Sequence, residues 1–230
     1  MLKTTAAIAA VSLSSFAIAG TPIDHESSFL AFGAEMPFGD GNMNTNYAIA
    51  RGADAFGSLE MGLKAKERFT GDLTTDGNGR YFANAGSPDN DGLSSWNIDF
   101  GYALSRDALP TNYEMTLMVD FDSGFGTQSW VTLDLTNFLL ANAIVSPSGG
   151  GSQNPGFGFW AIDIPFILDA SGYMAFDADA LGEYDVKMIL NDVTGAPLLE
   201  SSIVVEVVPA PGAVALLGLG GLVATRRRRA

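Results

Sequence analysis

Apolar and polar side chains alternate along much of this chain with a period of two residues, the spacing of a β-strand that faces a core on one side. Residues 59–65 and 96–102 show it most clearly. The same spacing recurs in four later stretches, namely residues 113–121, 131–135, 184–190 and 199–207. This feature argues against a helical bundle and predicts an all-β fold whose half-buried strands close on a common core.

Residues that form tight turns separate these stretches. Asp76-Gly77 and Asn78-Gly79 tolerate positive φ, and residues 194–197 divide the last two stretches as a hairpin requires. Only residues 136–145 show the spacing of a short helix. The pattern predicts an antiparallel, jelly-roll-like β-sandwich formed by a single domain over residues 20–208.

Residues 146–158 are rich in glycine and also contain Pro147 and Pro155. Such a composition predicts a flexible loop. The alternative is a domain boundary, but the strand-rich stretch that follows is too short to form a sizeable core of its own.

The chain ends in a three-part pattern: two prolines, an apolar run over residues 212–224, and four consecutive arginines. As a helix the apolar run would span roughly 20 Å, which is short of the ~30 Å hydrocarbon core of a bilayer. The arginines resist translocation, so the tail would stop with them in the cytoplasm and everything before it outside. The residues at which sorting and processing are expected are Pro209, Ala210, Pro211, Arg226, Arg227, Arg228 and Arg229.

The other end of the chain has the layout of a secretory signal peptide. Lys3 supplies a positive charge, residues 6–16 are apolar or small, and Ala17-Ile18-Ala19 matches an A-x-A cleavage site. We therefore expect signal peptidase to remove residues 1–19. The alternative is an apolar first strand, which the richness in alanine disfavours.

The tail resembles the PEP-CTERM sorting signal of Gram-negative bacteria, in which a membrane-embedded exosortase recognises the tail and cuts near the proline motif. Ala210 departs from that pattern, since glutamate usually stands between the two prolines. The resemblance implies transient tethering to the inner membrane by a short apolar C-terminal helix. It also implies export to the cell surface or the extracellular matrix.

Three further stretches are similar to a recurrent group of PEP-CTERM proteins that combine a basic strand, a glycine-rich hairpin and a tryptophan-containing strand. They are residues 59–68, 76–86 and 95–100. This second resemblance implies no activity.

The charge distribution narrows the choice of partners. All 26 acidic residues lie between the two terminal signals, whereas Lys3 and the four terminal arginines account for a large share of the 12 basic residues. The processed chain is therefore strongly acidic and repels phosphates, so neither nucleic acid nor an anionic membrane surface is expected as a partner.

Catalytic residues are scarce. The chain has no cysteine, and its single histidine, His25, lies just after the signal peptide, where we expect it to be solvated. Cys/His pairs, Ser/His/Asp triads and zinc sites are thereby disfavoured. The leading hypothesis is an exported, noncatalytic surface or matrix protein without a cofactor.

A hydrolase that uses two carboxylates is the less favoured alternative, because such an enzyme needs only two acids across a cleft. The acids within strand-like stretches are Asp99, Asp120, Asp134 and Asp163. Alternation places most of them opposite the apolar set, so solvated strand faces are expected. Asp120 and Asp122 also offer oxygen ligands for calcium, although the spacing equally fits a turn.

Four aromatic residues follow glycine-rich turns and form a candidate ligand platform: Trp130, Phe157, Phe159 and Trp160. Exposed rings at such places stack on the faces of sugars. The alternative function is therefore a carbohydrate-binding module for exopolysaccharide, with or without help from calcium. The competing interpretation is that the rings fill the core.

Overall fold

The computed structural model of the chain describes residues 21–38, 41–104, 110–143, 146–162 and 164–210. The predicted signal peptide, Asp163, Pro211 and the predicted apolar helix of the tail lie outside these residues. The strands, in chain order, are β1 (Ile23–Ser27), β2 (Tyr47–Asp54), β3 (Gly57–Glu67), β4 (Gly71–Asp72), β5 (Thr74–Thr75), β6 (Arg80–Asn84), β7 (Trp96–Ala103), β8 (Tyr113–Asp120), β9 (Trp130–Asp134), β10 (Ser148–Gln153), β11 (Ile167–Asp169), β12 (Gly182–Asp192) and β13 (Pro197–Val208).

The strands form two sheets, which confirms the all-β class. Sheet 1 has the order β1-β2-β3-β7-β10, with β4 paired to β3, and sheet 2 has the order β11-β9-β8-β12-β13-β6-β5. Neighbouring strands are antiparallel except β6 and β13, which are parallel. The prediction of a purely antiparallel fold was wrong for this pair. A long stretch of chain separates the two strands, so no tight turn constrains their direction.

The facing sides of the two sheets share one apolar core. Trp96 of β7 packs against Tyr184 of β12, with ring centroids 5.7 Å apart. The alternating residues that define the predicted strands are the ones that enter this core. Its fully buried members include Met61, Leu63, Ile98, Phe100, Met115, Leu117, Val186, Met188 and Val205.

The helix and the last hairpin follow the predicted positions. Helix α1 (Leu135–Ala141) is shorter than the predicted 136–145, and Asp134 caps it by accepting a hydrogen bond from the backbone N–H of Asn137 at 2.9 Å. Gly195 adopts a positive φ of 82° in the turn between β12 and β13. Within the part of the chain that the structure describes, no helix is long and apolar enough to cross a membrane.

The outer face of sheet 1 is also buried, which alternation did not predict. Residues 28–38 and 41–46, here called the cover segment, fold over this face. Phe29 and Met36 of the cover segment form a second apolar cluster with Tyr47 and Ile49 of β2. The cover segment also reaches polar residues of β3, because the backbone N–H of Leu30 donates to Glu60 Oε2 at 2.9 Å.

Three glycines in register across sheet 1 make room for the cover segment. Gly62 of β3 pairs with Gly101 of β7, which pairs with Gly150 of β10. A Cβ on Gly101 would lie 2.9 Å from Phe29 Cε2, and a Cβ on Gly150 would lie 2.5 Å from Phe38 Cε1. This glycine row is therefore a shallow groove that accepts aromatic rings.

The glycine-rich stretch after Pro147 corrects one prediction. It was expected to be a flexible loop, but residues Ser148–Gln153 form the edge strand β10 along β7. A Cβ on Gly150 would lie 2.3 Å from the carbonyl oxygen of Phe100, so the absence of a side chain permits close pairing. Strands β12 and β13, which follow this stretch, pair with β8 and β6, which precede it.

Asn44 ties the cover segment together. Its Oδ1 accepts a hydrogen bond from the Phe29 N–H at 2.8 Å, and its Nδ2 donates to the carbonyl oxygens of Phe29 and Gly33 at 2.9 and 3.0 Å. The amide is buried, so these bonds satisfy polar groups that have lost contact with water.

We expect Gly101→Val to destabilise the protein by roughly 1–3 kcal/mol, because the new side chain would overlap Phe29 and Met36. Gly33→Ala is the matched control, since nothing lies within 4 Å of a Cβ built there. Urea unfolding of both variants measures the difference. Equal stabilities for the two variants would contradict the packing of the cover segment on the glycine row.

Candidate functional site

The strand carboxylates considered for catalysis have structural roles. Asp99 is fully buried between sheet 1 and the cover segment, and Asp120 is buried at the end of β8. The expectation that they lie on solvated strand faces was wrong for both. Asp134 caps α1, and Asp163 lies outside the described residues.

Asp99 belongs to a buried ionic cluster. It lies directly across from Lys64 of β3 and Ser152 of β10, and its Oδ2 is 3.7 Å from Lys66 Nζ. Lys64 Nζ donates to Asp72 Oδ1 at 2.7 Å and to a carbonyl oxygen of the cover segment. Burial raises the pKa of Asp99 to about 6, although Lys66 and Lys64 oppose the shift. Within this cluster the side chains of Lys64 and Asp99 are fully buried, whereas those of Lys66 and Asp72 are partly exposed.

Asp120 and Asp122 shape the turn between β8 and β9. Asp120 Oδ1 accepts hydrogen bonds from the backbone N–H groups of Asp122 and Ser129 at 3.0 and 2.6 Å. Asp122 Oδ1 accepts one from Gly124 at 2.9 Å. Burial raises the pKa of Asp120, and the charges of Asp185 and Asp122 add to that effect. Among the described residues, no group of three or more acidic or histidine side chains is placed to hold a metal ion.

The four aromatic residues of the predicted platform do not come together on one surface. Trp160 is fully buried, with its Nε1 donating to the carbonyl oxygen of Asn154 at 3.0 Å. It stacks on Phe159 at 4.7 Å, and Phe159 itself packs against the core. The structure therefore corrects the assignment of Trp160, whose ring fills the core. Phe157 is exposed, and Trp130 lies in a different place, on the outer face of sheet 2.

Trp130 lines a shallow pocket with a volume of about 350 Å³, here called the Trp130 pocket. The outward-facing residues of β9, β12 and β13 form its floor, and β1 and the turn before β6 form one wall. The polar and aromatic side chains of the lining are His25, Asn78, Gln128, Trp130, Asp185, Lys187 and Ser202.

Neighbouring side chains hold the indole ring of Trp130 in place. Its Nε1 donates a hydrogen bond to Gln128 Oε1 at 3.2 Å, and Gln128 Nε2 donates to Asp185 Oδ2 at 3.1 Å. Lys187 Nζ lies 5.9 Å from the ring centroid. A half-buried ring fixed by such a chain of contacts loses little rotamer freedom when a ligand stacks on it.

His25 forms the wall of the Trp130 pocket on the side of sheet 1. It is half-buried in β1, which corrects its interpretation as a solvated terminal residue. The ring packs against Gly79, where a Cβ would lie 2.8 Å from His25 Cε1. His25 Nδ1 is buried and makes no hydrogen bond to the described residues. It is therefore a polar atom with spare hydrogen-bonding capacity beside the pocket.

This combination of groups suits a neutral, polyhydroxylated ligand. An aromatic ring offers an apolar face, and amide, hydroxyl, carboxylate and ammonium groups surround it. Gln128 stands only two residues before Trp130 in the chain, whereas Asp185 and Lys187 escaped sequence reasoning because they come from the distant strand β12. Alternation along β12 and β13 does place Asp185, Lys187 and Ser202 on the outer face, which is the signal available in the sequence.

No family model matches the sequence, and comparisons with curated proteins and with solved structures give no match.

Proposed function

We propose that this chain is an exported, noncatalytic protein of the cell surface or extracellular matrix, a β-sandwich that an exosortase system sorts. The observation that carries the proposal is the position of the last strand. β13 pairs with its neighbours through Val208, and Pro209 follows at once. Cleavage at the proline motif would leave every described strand intact.

The N-terminal boundary supports the same proposal. β1 begins at Ile23, shortly after the predicted cleavage site at Ala19. The two-sheet body, residues 23–208, thus lies between the two predicted processing sites. The structural roles of Asp99, Asp120 and Asp134 favour a noncatalytic protein over a hydrolase that uses two carboxylates.

Cell fractionation tests the role of the tail. The full chain is compared with a chain truncated after Ala210 and with a variant in which Arg226–Arg229 are replaced by serine. We expect the signal peptide to carry all three proteins across the inner membrane, but only the full chain to be sorted onward to the surface or the medium. The truncated chain should fold with the same thermal stability but should not be held at the membrane. Identical distributions of all three proteins would contradict exosortase sorting.

A second function, binding of exopolysaccharide, is favoured by the Trp130 pocket. Trp96 and Trp160 are fully buried and Trp130 is half-exposed, so a change in intrinsic fluorescence on adding a saccharide reports on Trp130. We propose that a neutral sugar ring stacks on its indole while Gln128 and Asp185 contact the hydroxyl groups.

We expect Trp130→Ala to weaken the binding of neutral polysaccharide at least about tenfold, because a lost stacking contact of about 1.4 kcal/mol corresponds to that factor. Affinity gel electrophoresis in the presence and absence of a calcium chelator measures the affinity of each protein for the polysaccharide. Phe157→Ala, which removes an exposed ring elsewhere, should bind like the wild type. Wild-type retardation of Trp130→Ala, or no retardation of the wild-type protein, would refute the saccharide site.

A further inference from the structure

The end of the two-sheet body at which β13 leaves, here called the exit end, carries loops from both sheets. Val208 pairs with Asn84, the last residue of β6. The carbonyl oxygen of Asn84 accepts a hydrogen bond from Ser95 Oγ, and the carbonyl oxygen of Ser95 accepts one from the Arg68 N–H at 2.8 Å. The loop after β3 therefore lies at the exit end.

Sheet 2 contributes two more loops to the exit end. Val207 pairs with Gly182, the first residue of β12, so the loop before β12 ends there. The carbonyl oxygen of Ser123 accepts a hydrogen bond from the Glu183 N–H at 3.1 Å, which places the turn between β8 and β9 beside that loop.

These loops present large apolar side chains to solvent. Phe69 follows β3 and is 77% exposed, and Phe125 in the turn between β8 and β9 is 71% exposed. Met174 and Leu181, in the loop before β12, are 49% and 52% exposed. We call these four residues the exit rim. Loops of both sheets thus expose apolar side chains at the end of the body from which the predicted tail leaves.

The short distance between β13 and the predicted tail limits which surface the exit rim can contact. Only residues 209–211 separate the end of β13 from the apolar run that begins at residue 212. Three extended residues reach at most roughly 10 Å. A tail held in the bilayer would therefore keep the exit end at the level of the lipid headgroups.

The charges near the exit rim select the kind of lipid. Arg68 is paired with Asp89 and Asp91. Arg80 is paired with Glu183 and Glu206 near the end of β13, so each of the two arginines faces two carboxylates. Such a surface is repelled by anionic headgroups, so a zwitterionic bilayer is the compatible one.

We propose that the exit rim rests on a zwitterionic membrane surface while the tail is anchored, so that the two-sheet body stands on the bilayer by its exit end. This inference rests on the proposed membrane-held tail. Apolar side chains at the headgroup boundary add to the binding strength of a single marginal anchor. Cleavage near Pro209 would remove the anchor and free the exit rim from the membrane.

The absence of cysteine from the chain makes single-site labelling straightforward. Phe69→Cys and Leu181→Cys report on the exit rim. Phe56→Cys and Val193→Cys are matched controls, since these residues are 57% and 64% exposed in the turns at the opposite end of the strands. Each full-length variant, labelled with an environment-sensitive fluorophore, is reconstituted into phosphatidylcholine vesicles with and without brominated lipid.

We expect a blue shift and quenching by brominated lipid at Phe69 and Leu181 and neither effect at Phe56 or Val193. Vesicle association with no shift at the exit rim would overturn this inference and leave the tail anchor in place. Failure of the full chain to associate with vesicles would overturn the anchor and the exit rim together. Unchanged thermal unfolding of the variants excludes misfolding as the cause.

Discussion

Phe29→Ala should lower the free energy of unfolding by about 3–5 kcal/mol, the range for removing a buried phenylalanine from a packed site. The Phe29 ring lies over Gly62 and Gly101 and contacts the rings of Phe32 and Tyr47 at 5.5 and 5.2 Å. Gly62 and Gly101 have no side chains that could fill the space, so removal of the Phe29 ring leaves a cavity. Urea unfolding measures the change.

The neighbouring residue provides the control. Leu30 is 83% exposed, so Leu30→Ala should change the free energy of unfolding by less than about 0.5 kcal/mol. Hydrogen exchange adds a second measurement, since Phe29→Ala should selectively speed exchange in the cover segment. Similar losses of stability for Phe29→Ala and Leu30→Ala would contradict the packing of the cover segment on sheet 1.

The free energy of unfolding of Asp99→Asn should increase relative to that of wild type by up to about 3 kcal/mol as the pH rises from 4 to 7. Burial raises the pKa of Asp99 to about 6 in the folded protein. The unfolded chain ionises this carboxyl near pH 4, so the folded state binds the extra proton between those values. Wild type therefore loses stability as the pH rises through that window, and the uncharged amide does not.

The groups that face Asp99 reduce the size of this pH-dependent difference in stability. Lys66 and Lys64 stabilise the carboxylate but do not compensate for its burial, and Ser152 also favours the charged form. Unfolding of the variant and wild type at several pH values measures the difference. Glu114→Gln, at an exposed position of β8, is the control. If the difference in stability between Asp99→Asn and wild type did not depend on pH, the pKa of Asp99 would not be raised in the folded protein.

The strands that form the central core were predictable because their alternation reports on one buried and one solvated face. It identified β3, β7, β8, β12 and β13. The same rule failed on the outer face of sheet 1, where alternation predicts that Lys64 and Asp99 are solvated. They are buried because the cover segment lies over them, and a pattern local to one strand carries no information about a distant segment.

One signal for the cover segment was present in the sequence. Gly62, Gly101 and Gly150 occupy the polar positions of their strands, where glycine weakens a strand without evident benefit. Their meaning depends on the register that places them side by side. The same limit applies to the Trp130 pocket. Trp130 was predicted as an aromatic ligand-binding residue, and Gln128 is its neighbour in the chain, but Asp185 reaches them only through the arrangement of the strands.

We propose that the two-sheet body is exported and released between two processing sites. Intact-mass measurement of the native protein from the envelope and medium fractions tests it most directly. We expect a chain that begins near Gly20 and ends near Pro209. A chain that retains Met1 and is recovered only from the cytoplasm would contradict export, and an exported chain that still carries Arg226–Arg229 would contradict processing of the tail.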